Sequence, residues 1–226
     1  MNISNIMILA AGYGKRMKHY TKNVPKPLIK IKGTSLLETI VKKLEDYSFR
    51  KIVINIFFLK NQIKNELKNK FKLKILFSEE KNLLNTGGGI KNALNLLNTK
   101  EFFVLNSDII WIDKKINPFE QLNKFWDQEK MDALLLLYPK KKNIGDYNIN
   151  KSKRIIINKK NLKYIFTGIQ ILKSNVFSNI KKKKFPISVI HQHLIEKRRI
   201  FGLVYDGKWF HIGTLESLKE YKKMLE

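Results

Sequence analysis

A glycine-rich segment that carries two cations follows the first apolar run of the chain. In ILAAGYGKRM, residues 8–17, Gly12 and Gly14 let the backbone approach a ligand closely, with its N–H groups turned inward. Lys15 and Arg16 stand directly after Gly14, and a guanidinium can bind two oxygens of a phosphate group at once. The segment therefore predicts a binding site for a polyphosphate.

Neither of the two commonest glycine loops matches this segment. A dinucleotide-binding loop needs a third glycine, where this chain has Met17, and a carboxylate after the next strand, where it has Phe57 and Phe58. A P-loop needs Ser or Thr after its lysine, but Arg16 follows Lys15. The spacing argues against a dehydrogenase and against a P-loop protein.

Three further motifs add chemistry in sequence order. VPKPL holds Lys26 between two prolines, and a rigidly held ammonium beside a phosphate site can neutralise charge in a transition state. TGGGI, Thr86–Ile90, is a second glycine patch, against whose backbone a planar base could lie. NSD places Asp108 after a predicted strand, where open α/β sheets bind their ligands and a carboxylate can hold a divalent cation.

The elements that must position these residues alternate between buried-strand patterns and helical patterns. Strands are predicted at Ile6–Ala10, Lys51–Phe57, Leu73–Phe77, Phe102–Asn106 and Ala133–Tyr138, with short ones near Tyr147, Ile155 and Ile169. Helices are predicted from Ser35, over Lys60–Asn69, from Asn85 through Leu97, over Pro118–Glu129 and at the end of the chain. This order predicts one α/β domain with a mostly parallel sheet and helices on both faces.

Composition narrows the class of protein. The net charge of +26 comes almost entirely from lysines scattered along the chain, whereas recognition of nucleic acids tends to recruit arginine, so we expect no specific nucleic-acid partner. Cysteine is absent, and no apolar run is long enough to span a bilayer. We expect a cytoplasmic protein without a membrane partner, either a monomer or a small homo-oligomer.

Taken together and in order, the motifs resemble those of the sugar-1-phosphate nucleotidyltransferases. The family signature L-A-A-G-x-G-x-R-M stands at Leu9–Met17, followed by P-K-P-L, a T-G-G segment and an N-x-D turn. The resemblance implies the Rossmann-like, three-layer nucleotide-diphospho-sugar transferase fold with a mixed, mostly parallel central sheet. It also implies an enzyme of the EC 2.7.7 class that makes a nucleoside-diphosphate sugar and pyrophosphate from an NTP and a sugar 1-phosphate.

Within the family, the chain looks most like the N-acetylmuramate α-1-phosphate uridylyltransferases. The similarity lies in TGGGI, in FTGIQIL at Phe166–Leu172, and in the W-x-x-x-G-T of Trp209–Thr214. It implies UTP, N-acetylmuramate 1-phosphate and a role in cell-wall recycling. A mannose- or heptose-1-phosphate guanylyltransferase, a phosphocholine cytidylyltransferase, a basic nucleic-acid-binding protein and an inactive nucleotide-binding regulator remain alternatives.

The resemblance also assigns site residues. It implies that the nucleotide is bound by Leu9, Ala10, Ala11, Gly12, Gly14, Lys15, Arg16, Thr86, Gly87 and Gly88, and the sugar by Asn106, Thr167 and Gly168. Arg16, Lys26 and Asp108 are the implied catalytic residues, and Asp108 is the implied ligand of Mg²⁺, or of Mn²⁺. We expect a single domain, 1–226, with a nucleotide-binding half at 1–115 and a sugar-binding, closing half at 116–226.

One residue departs from the family pattern. Many members supply a second metal ligand in W-x-D-x-G-T, and this chain has His211 at that place. Mg²⁺ prefers oxygen, so imidazole is a poor replacement. Asp108 could hold Mg²⁺ with phosphates and water while His211 binds a phosphate, His211 could ligate a softer cation such as Mn²⁺, or the site could be degraded.

Overall fold

The computed structural model describes residues 3–47, 49–139, 145–156 and 161–225. The strands are β1 (Asn5–Leu9), β2 (Lys30–Ile31), β3 (Thr34–Ser35), β4 (Lys51–Ile56), β5 (Lys74–Glu79), β6 (Glu101–Asn106), β7 (Ile109–Ile112), β8 (Ala133–Pro139), β9 (Asn148–Ile149), β10 (Ile155–Ile156), β11 (Tyr164–Lys173), β12 (Ile200–Val204) and β13 (Lys208–His211). The helices are α1 (Leu36–Asp46), α2 (Lys60–Leu67), α3 (Asn85–Leu97), α4 (Pro118–Phe125), α5 (Ser188–Glu196) and α6 (Leu215–Met224), with 3-10 helices at Lys15–Thr21, Lys26–Leu28 and Ser174–Phe177.

Seven strands form the central sheet, in the order β12-β8-β11-β6-β1-β4-β5. Every neighbouring pair is parallel except the two that involve β11, which runs antiparallel to both β6 and β8. The chain builds β4 and β5 on one side of β1 and then returns to place β6 on the other side. The carboxyl ends of β1 and β6 therefore flank a topological switch point, where open α/β sheets bind their ligands.

Helices cover both faces of the sheet, because successive strand residues point to opposite sides. Ile6 and Ile8 of β1 pack into a core shared with α1, α2 and α4. Met7, between them, packs into a second core shared with α3 and α5. These two cores confirm the three-layer α/β fold and the mixed, mostly parallel sheet predicted from the sequence.

The first helix begins where its sequence signal places it. The Ser35 hydroxyl accepts a hydrogen bond from the backbone N–H of Glu38 at 3.1 Å, which satisfies one of the free donors at the start of α1. The apolar stripe of α1 is buried: Leu37, Ile40, Val41 and Leu44 pack in the core on the sheet, and Leu36 packs in a smaller core with Met17. Burial of this stripe holds α1 in place, because an isolated helix of this length is only marginally stable in water.

Two predicted elements have different lengths in the structure. The short strand expected near Ile169 is the ten-residue β11, interrupted by a bulge between Phe166 and Gln170 that breaks the alternating pattern. The helix expected to reach Glu129 ends at Phe125, since Trp126 adopts an extended conformation and the Asp127 carboxylate accepts the N–H of Glu129 in a turn. Both differences arise from local backbone geometry that hydrophobic periodicity does not encode.

Strands β7 and β13 form a small antiparallel pair that the sequence did not predict. It sets Trp209 opposite Trp111 and His211 opposite Ile109. After it, α6 packs back over Met17 of the glycine segment, with Leu218 and Tyr221 in the same small core. Within the described ranges, no helix is both long enough and apolar enough to cross a bilayer.

Candidate active site

A cavity of about 580 Å³ opens at the carboxyl ends of β1, β4, β5 and β6. It is lined by Leu9, Ala10, Ala11, Gly12, Gly14, Lys15, Arg16, Lys26, Pro27, Asn55, Glu80, Leu83, Asn85, Thr86, Asn106, Ser107, Asp108, Pro186 and Gly213. Most of the residues singled out in the sequence therefore meet in one place. Among the described residues, the predicted site members outside this lining are Gly87, Gly88, Thr167, Gly168 and His211.

The glycine segment leaves β1 and turns sharply at Gly14. Gly14 has a φ of 67°, and a Cβ there would lie 2.9 Å from the side chains of both Thr21 and Lys26. The Thr21 hydroxyl donates to the carbonyl of Gly14 at 3.1 Å. Lys15 and Arg16 are exposed, so their cations are free to meet a ligand at the rim. Glycine is required here because the turn brings the segment against Lys26.

Two side chains, an ammonium and an imidazole, converge on one carboxylate oxygen of Asp108. Lys26, buried in the 3-10 turn after Pro25, forms an ion pair with Oδ2, and His211 Nε2 lies 3.2 Å from the same atom. Burial alone would raise the pKa of Asp108, but the hydrogen bond from His211 and the charge of Lys26 outweigh it, so the pKa lies well below its usual range. Asp108 is therefore an anion at any physiological pH and can face a cation or an ammonium.

The imidazole of His211 is held from two sides. Its ring stacks on the indole of Trp209, with centroids 6.2 Å apart and planes 8° apart, and the backbone of Gly213 packs so closely that a Cβ there would overlap the ring. The indole N–H of Trp209 donates to the carbonyl of Thr167 at 3.0 Å. In the described part of the chain, no group of three or more His, Cys, Asp or Glu side chains could hold a metal ion. Any cation at Asp108 and His211 must take its other ligands from substrate or water.

The structure corrects the role expected for the second glycine patch. Gly87 and Gly88 are buried beneath residues 183–187, which cross the start of α3 as a strap. The Gly88 N–H donates to the carbonyl of Phe185 at 3.0 Å, and the Ile187 N–H donates to the hydroxyl of Thr86 at 2.8 Å. A Cβ at either glycine would overlap the strap, so the glycines are needed for this close packing. A base cannot lie on them in this arrangement, although Thr86 still lines the cavity.

Thr167 and Gly168 lie behind the cavity wall rather than on it. Gly168 has a φ of 87° at the β11 bulge, and a Cβ there would overlap the side chain of Asn106. Thr167 is buried, and its hydroxyl donates to the carbonyl of Leu136 at 2.8 Å. Of the three predicted sugar-binding residues, only Asn106 lines the cavity, and the other two support it.

Sequence reasoning missed a buried polar pair at the base of the cavity. Asn55 Oδ1 accepts the N–H of Ala10 at 2.9 Å, and its Nδ2 donates to Glu80 Oε1 at 2.7 Å. The other oxygen of Glu80 accepts the N–H of Leu84 at 2.9 Å. Burial raises the pKa of Glu80 above its ordinary value, against the opposing effect of these hydrogen bonds. The available signal was an asparagine inside the apolar strand KIVINIF, where only a paired polar side chain is tolerated.

A second buried polar group lies away from the cavity lining. His191 of α5 pairs through Nδ1 with the Tyr147 hydroxyl at 2.9 Å and through Nε2 with Gln170 Oε1 at 2.7 Å. Burial lowers the pKa of His191 to about 4. The neighbouring His193 is exposed, so the two histidines face different surroundings. This network joins α5 to the central sheet.

Comparison with known proteins agrees with the geometry. The nucleotidyl transferase family matches residues 5–226. The chain is 30% identical to the N-acetylmuramate alpha-1-phosphate uridylyltransferase of Neisseria meningitidis serogroup B and 28% identical to the protein of the same name from Caulobacter vibrioides; the alignments cover 95% and 93% of this chain and 95% and 92% of the relatives. The crystal structure of HddC from Yersinia pseudotuberculosis complexed with GMP-PN shares the fold, with a TM-score of 0.81 at 21% identity over 99% of this chain and 100% of that one.

Proposed function

This chain belongs to the nucleotidyl transferase family, and from that premise we propose that it transfers the uridylyl group of UTP to N-acetylmuramate 1-phosphate. Its class, a sugar-1-phosphate nucleotidyltransferase, follows from the family and its relatives. The base, the sugar and the residue roles are the proposed part. Two relatives that align over almost their whole length with this chain carry the name of that reaction, which supports this base and this sugar.

The observation that carries the proposal is the meeting of four charged groups in one cavity at the switch point. Lys15 and Arg16 come from the segment after β1, Lys26 from the proline-flanked turn, and Asp108 from the end of β6. A triphosphate needs several fixed cations, because its own oxygens carry closely spaced negative charges. Lys15, Arg16 and Lys26 provide these cations, around a space of about 580 Å³ that is within the usual size of a small-molecule site.

The reaction requires no nucleophile from the protein. A phosphate monoester has a second pKa of about 6, so an oxygen of the sugar 1-phosphate is already ionised at neutral pH. This oxygen forms a new bond to the α-phosphorus, while the bond from that phosphorus to the oxygen bridging to the β-phosphorus breaks and pyrophosphate leaves with the electron pair. We assign Lys15 and Arg16 to the β- and γ-phosphates and Lys26 to the reacting phosphates. Positioning and neutralisation of charge then account for catalysis.

The residues present fit a divalent cation in part. Asp108 is ionised and stands at the cavity surface, and one carboxylate together with substrate phosphates is a usual environment for Mg²⁺. The neighbouring imidazole of His211 suits that ion poorly. A divalent cation bound at Asp108 would neutralise charge on the phosphate oxygens. The assignment of Mg²⁺ or Mn²⁺ belongs to the proposal.

In the same proposal, each half of the chain contributes residues to the site. Residues up to 115 contribute the glycine segment, Lys26 and Asp108, whereas Pro186 and Gly213 reach the cavity from the second half. The outermost residues of the predicted domain, 1, 2 and 226, lie outside the described ranges. We place the sugar beside Asn106, and we place the enzyme in the cytoplasm, in the recovery of cell-wall sugars.

Pyrophosphate release by the purified protein tests the proposal. UTP, CTP, GTP and dTTP are each paired with the 1-phosphates of N-acetylmuramate, N-acetylglucosamine, glucose and mannose, in Mg²⁺ and in Mn²⁺. We expect the highest kcat/KM with UTP and N-acetylmuramate 1-phosphate. Lys26→Met should abolish most of this rate, while Lys219→Met, an exposed change on α6, should not alter it. Preference for GTP with mannose 1-phosphate, or turnover with no pair, would overturn the proposed substrates.

Binding to nucleic acid is tested separately, because the charge of +26 attracts any polyanion. We expect only weak binding to unrelated duplexes that disappears at physiological salt. Nanomolar binding to one duplex at that salt would support the alternative of a nucleic-acid-binding protein.

A further inference from the structure

We propose that a second cavity beside the glycine segment binds a nucleoside polyphosphate and competes with the substrate for Lys15. This outer cavity, of about 460 Å³, is bordered by Tyr13, Lys15, Lys18, Lys22 and Phe58. Within the described part of the chain, Lys15 is the residue that it shares with the lining of the active-site cavity. The competition for Lys15 rests on the proposed function, whereas binding at the outer cavity requires no turnover.

Positive charge without a counter-charge is the first support. Lys15, Lys18 and Lys22 stand around the outer cavity, and its lining contains no carboxylate among the described residues. None of the three forms an ion pair with another described residue, whereas two lysines of α2 share a carboxylate of β5. Like charges at close range repel one another, and an anion with several oxygens would relieve this repulsion. The outer cavity therefore favours a polyphosphate over a neutral ligand.

An exposed aromatic ring beside these cations is the second support. The Tyr13 ring is 39% exposed, although its centroid lies 5.6 Å from that of Phe57 and 5.4 Å from that of Phe58. Lys15 Nζ lies over the face of Tyr13, 5.6 Å from its centroid. A flat base can stack on such a ring while neighbouring cations meet its phosphates. The combination of ring and cations therefore indicates a nucleotide rather than an inorganic phosphate.

The backbone that places the lysines is strained. Lys18 has a φ of 50° and a ψ of −121°, a conformation that lysine rarely adopts. The buried hydroxyl of Thr21 holds this turn, because it lies 3.1 Å from the carbonyl oxygen of Gly14 and 3.3 Å from that of Lys18. Strained residues concentrate at binding sites and switch regions, which agrees with a ligand site here.

The composition of the lining predicts which nucleotides bind. Among the described residues, the outer cavity has no amide or carboxylate side chain, and the hydroxyl of Thr21 is already engaged. A site discriminates between bases through such groups, so we expect the outer cavity to accept several bases, unlike a site that selects UTP. Because the Lys15 ammonium can serve only one polyanion fully, each ligand should weaken the binding of the other by the same factor.

Binding of ADP tests the inference while the active site is filled. The active-site cavity is saturated with the α,β-methylene analogue of UTP, and ADP binding is measured by equilibrium dialysis. We expect one ADP per chain, bound at least about fivefold more weakly by the double variant Lys18→Gln, Lys22→Gln. The matched control Lys42→Gln, Lys219→Gln removes two exposed lysines of α1 and α6 and should bind ADP like the wild-type protein.

Two further readouts identify the ligand and the competition. Tyr13→Leu should weaken ADP but not inorganic tripolyphosphate, since only ADP has a base that stacks. ADP should also inhibit pyrophosphate release by the wild-type protein more strongly than release by the Lys18, Lys22 double variant, whose rate without ADP should be unchanged.

The outcomes separate the parts of the inference. Absence of ADP binding beside the analogue, or equal ADP affinity in the double variant, would overturn the outer site. Equal ADP affinity in Tyr13→Leu would overturn the assignment of a nucleotide, and an unchanged affinity for the analogue as ADP is added would overturn the competition for Lys15. ADP binding at the outer cavity without turnover of any substrate pair would instead contradict the proposed function and support the site.

Discussion

Replacement of Asn55 by alanine tests whether the buried polar pair positions the glycine segment. In the native protein, the side chain of Asn55 connects the N–H of Ala10 to Glu80, and Glu80 connects onward to Leu84 at the start of α3. Asn55 therefore joins two backbone segments that line the cavity. Alanine at this position removes both connections and leaves a donor and an acceptor without partners.

The loss of stability in Asn55→Ala follows from the burial of the Asn55 side chain. A buried polar group that loses its partner costs about 1–3 kcal/mol, and Asn55 is only 3% exposed. Because Asn55 also lines the cavity, water can replace part of each bond, so we expect the free energy of unfolding to fall by about 2–3 kcal/mol. For a chain of this size that corresponds to a fall in Tm of about 5–10 °C. In the variant, the bound nucleotide must itself hold Ala10 in position. A cost of about 1.4 kcal/mol to the binding free energy for this ordering would raise KM for the NTP about tenfold.

The assay compares KM and kcat for pyrophosphate release with the Tm of the same samples. We expect KM for the NTP to rise and kcat to change little, since Asn55 forms no hydrogen bond with Lys26 or Asp108 among the described residues. Asn92→Ala is the matched control, because the side chain of exposed Asn92 on α3 forms a single hydrogen bond with the described residues, 3.1 Å to the Ser78 hydroxyl. A lower Tm with an unchanged KM would refute the positioning role and leave Asn55 as a core residue only.

Three further outcomes are expected. Lys26→Met should lower kcat for pyrophosphate release at least about 100-fold, and a smaller loss would show that the ammonium does not act on the transition state. Gly88→Ala should lower the free energy of unfolding in urea by about 1–3 kcal/mol, because its Cβ would overlap the carbonyl of Lys183; unchanged stability would show that the strap is not seated on α3. Burial lowers the pKa of His191 from 6.5 to about 4, so between these pH values the unfolded chain binds a proton that the folded chain does not. The stabilisation by neutral His191 is therefore complete above pH 6.5, and the free energy of unfolding falls by about 3 kcal/mol as the pH drops to about 4. His191→Gln should flatten this part of the unfolding curve between pH 7 and pH 4 while His193→Gln does not, and equal slopes in both variants would contradict the burial of a neutral ring.

Local signals in the sequence were sufficient for the fold class. Continuous apolar runs predicted β1, β4, β5, β6 and β8, and Ser35 marked the start of α1. These signals are short-range, since each depends on residues within a few positions of one another. The predicted boundaries were less accurate at β11 and α4, where a β-bulge and an Asx turn at Asp127 override the hydrophobic periodicity.

The meeting of the predicted phosphate-binding residues at one edge of the sheet could be predicted from similarly local signals. One cavity is lined by Gly14, Lys15, Arg16, Lys26 and Asp108, and all of these except the proline-flanked Lys26 follow a predicted strand. Parallel strands put their carboxyl ends at one edge of the sheet, so motifs that follow such strands must meet there. The convergence of these residues on one cavity can therefore be predicted from residue types and their order alone.

Contacts between distant segments could not be predicted in this way. Gly87 and Gly88 look like an open platform in the sequence, but residues about one hundred positions later cover them, and no local pattern encodes that pairing. The network of Asn55 and the alignment of His211 with Asp108 likewise depend on how β-strands and loops from different parts of the chain pack. The sequence by itself determined the sheet and the glycine and charged residues that lie at its edge, because periodicity and turn chemistry are local properties. Only the tertiary structure decided which of those groups face the cavity and which support it, because that choice depends on long-range packing.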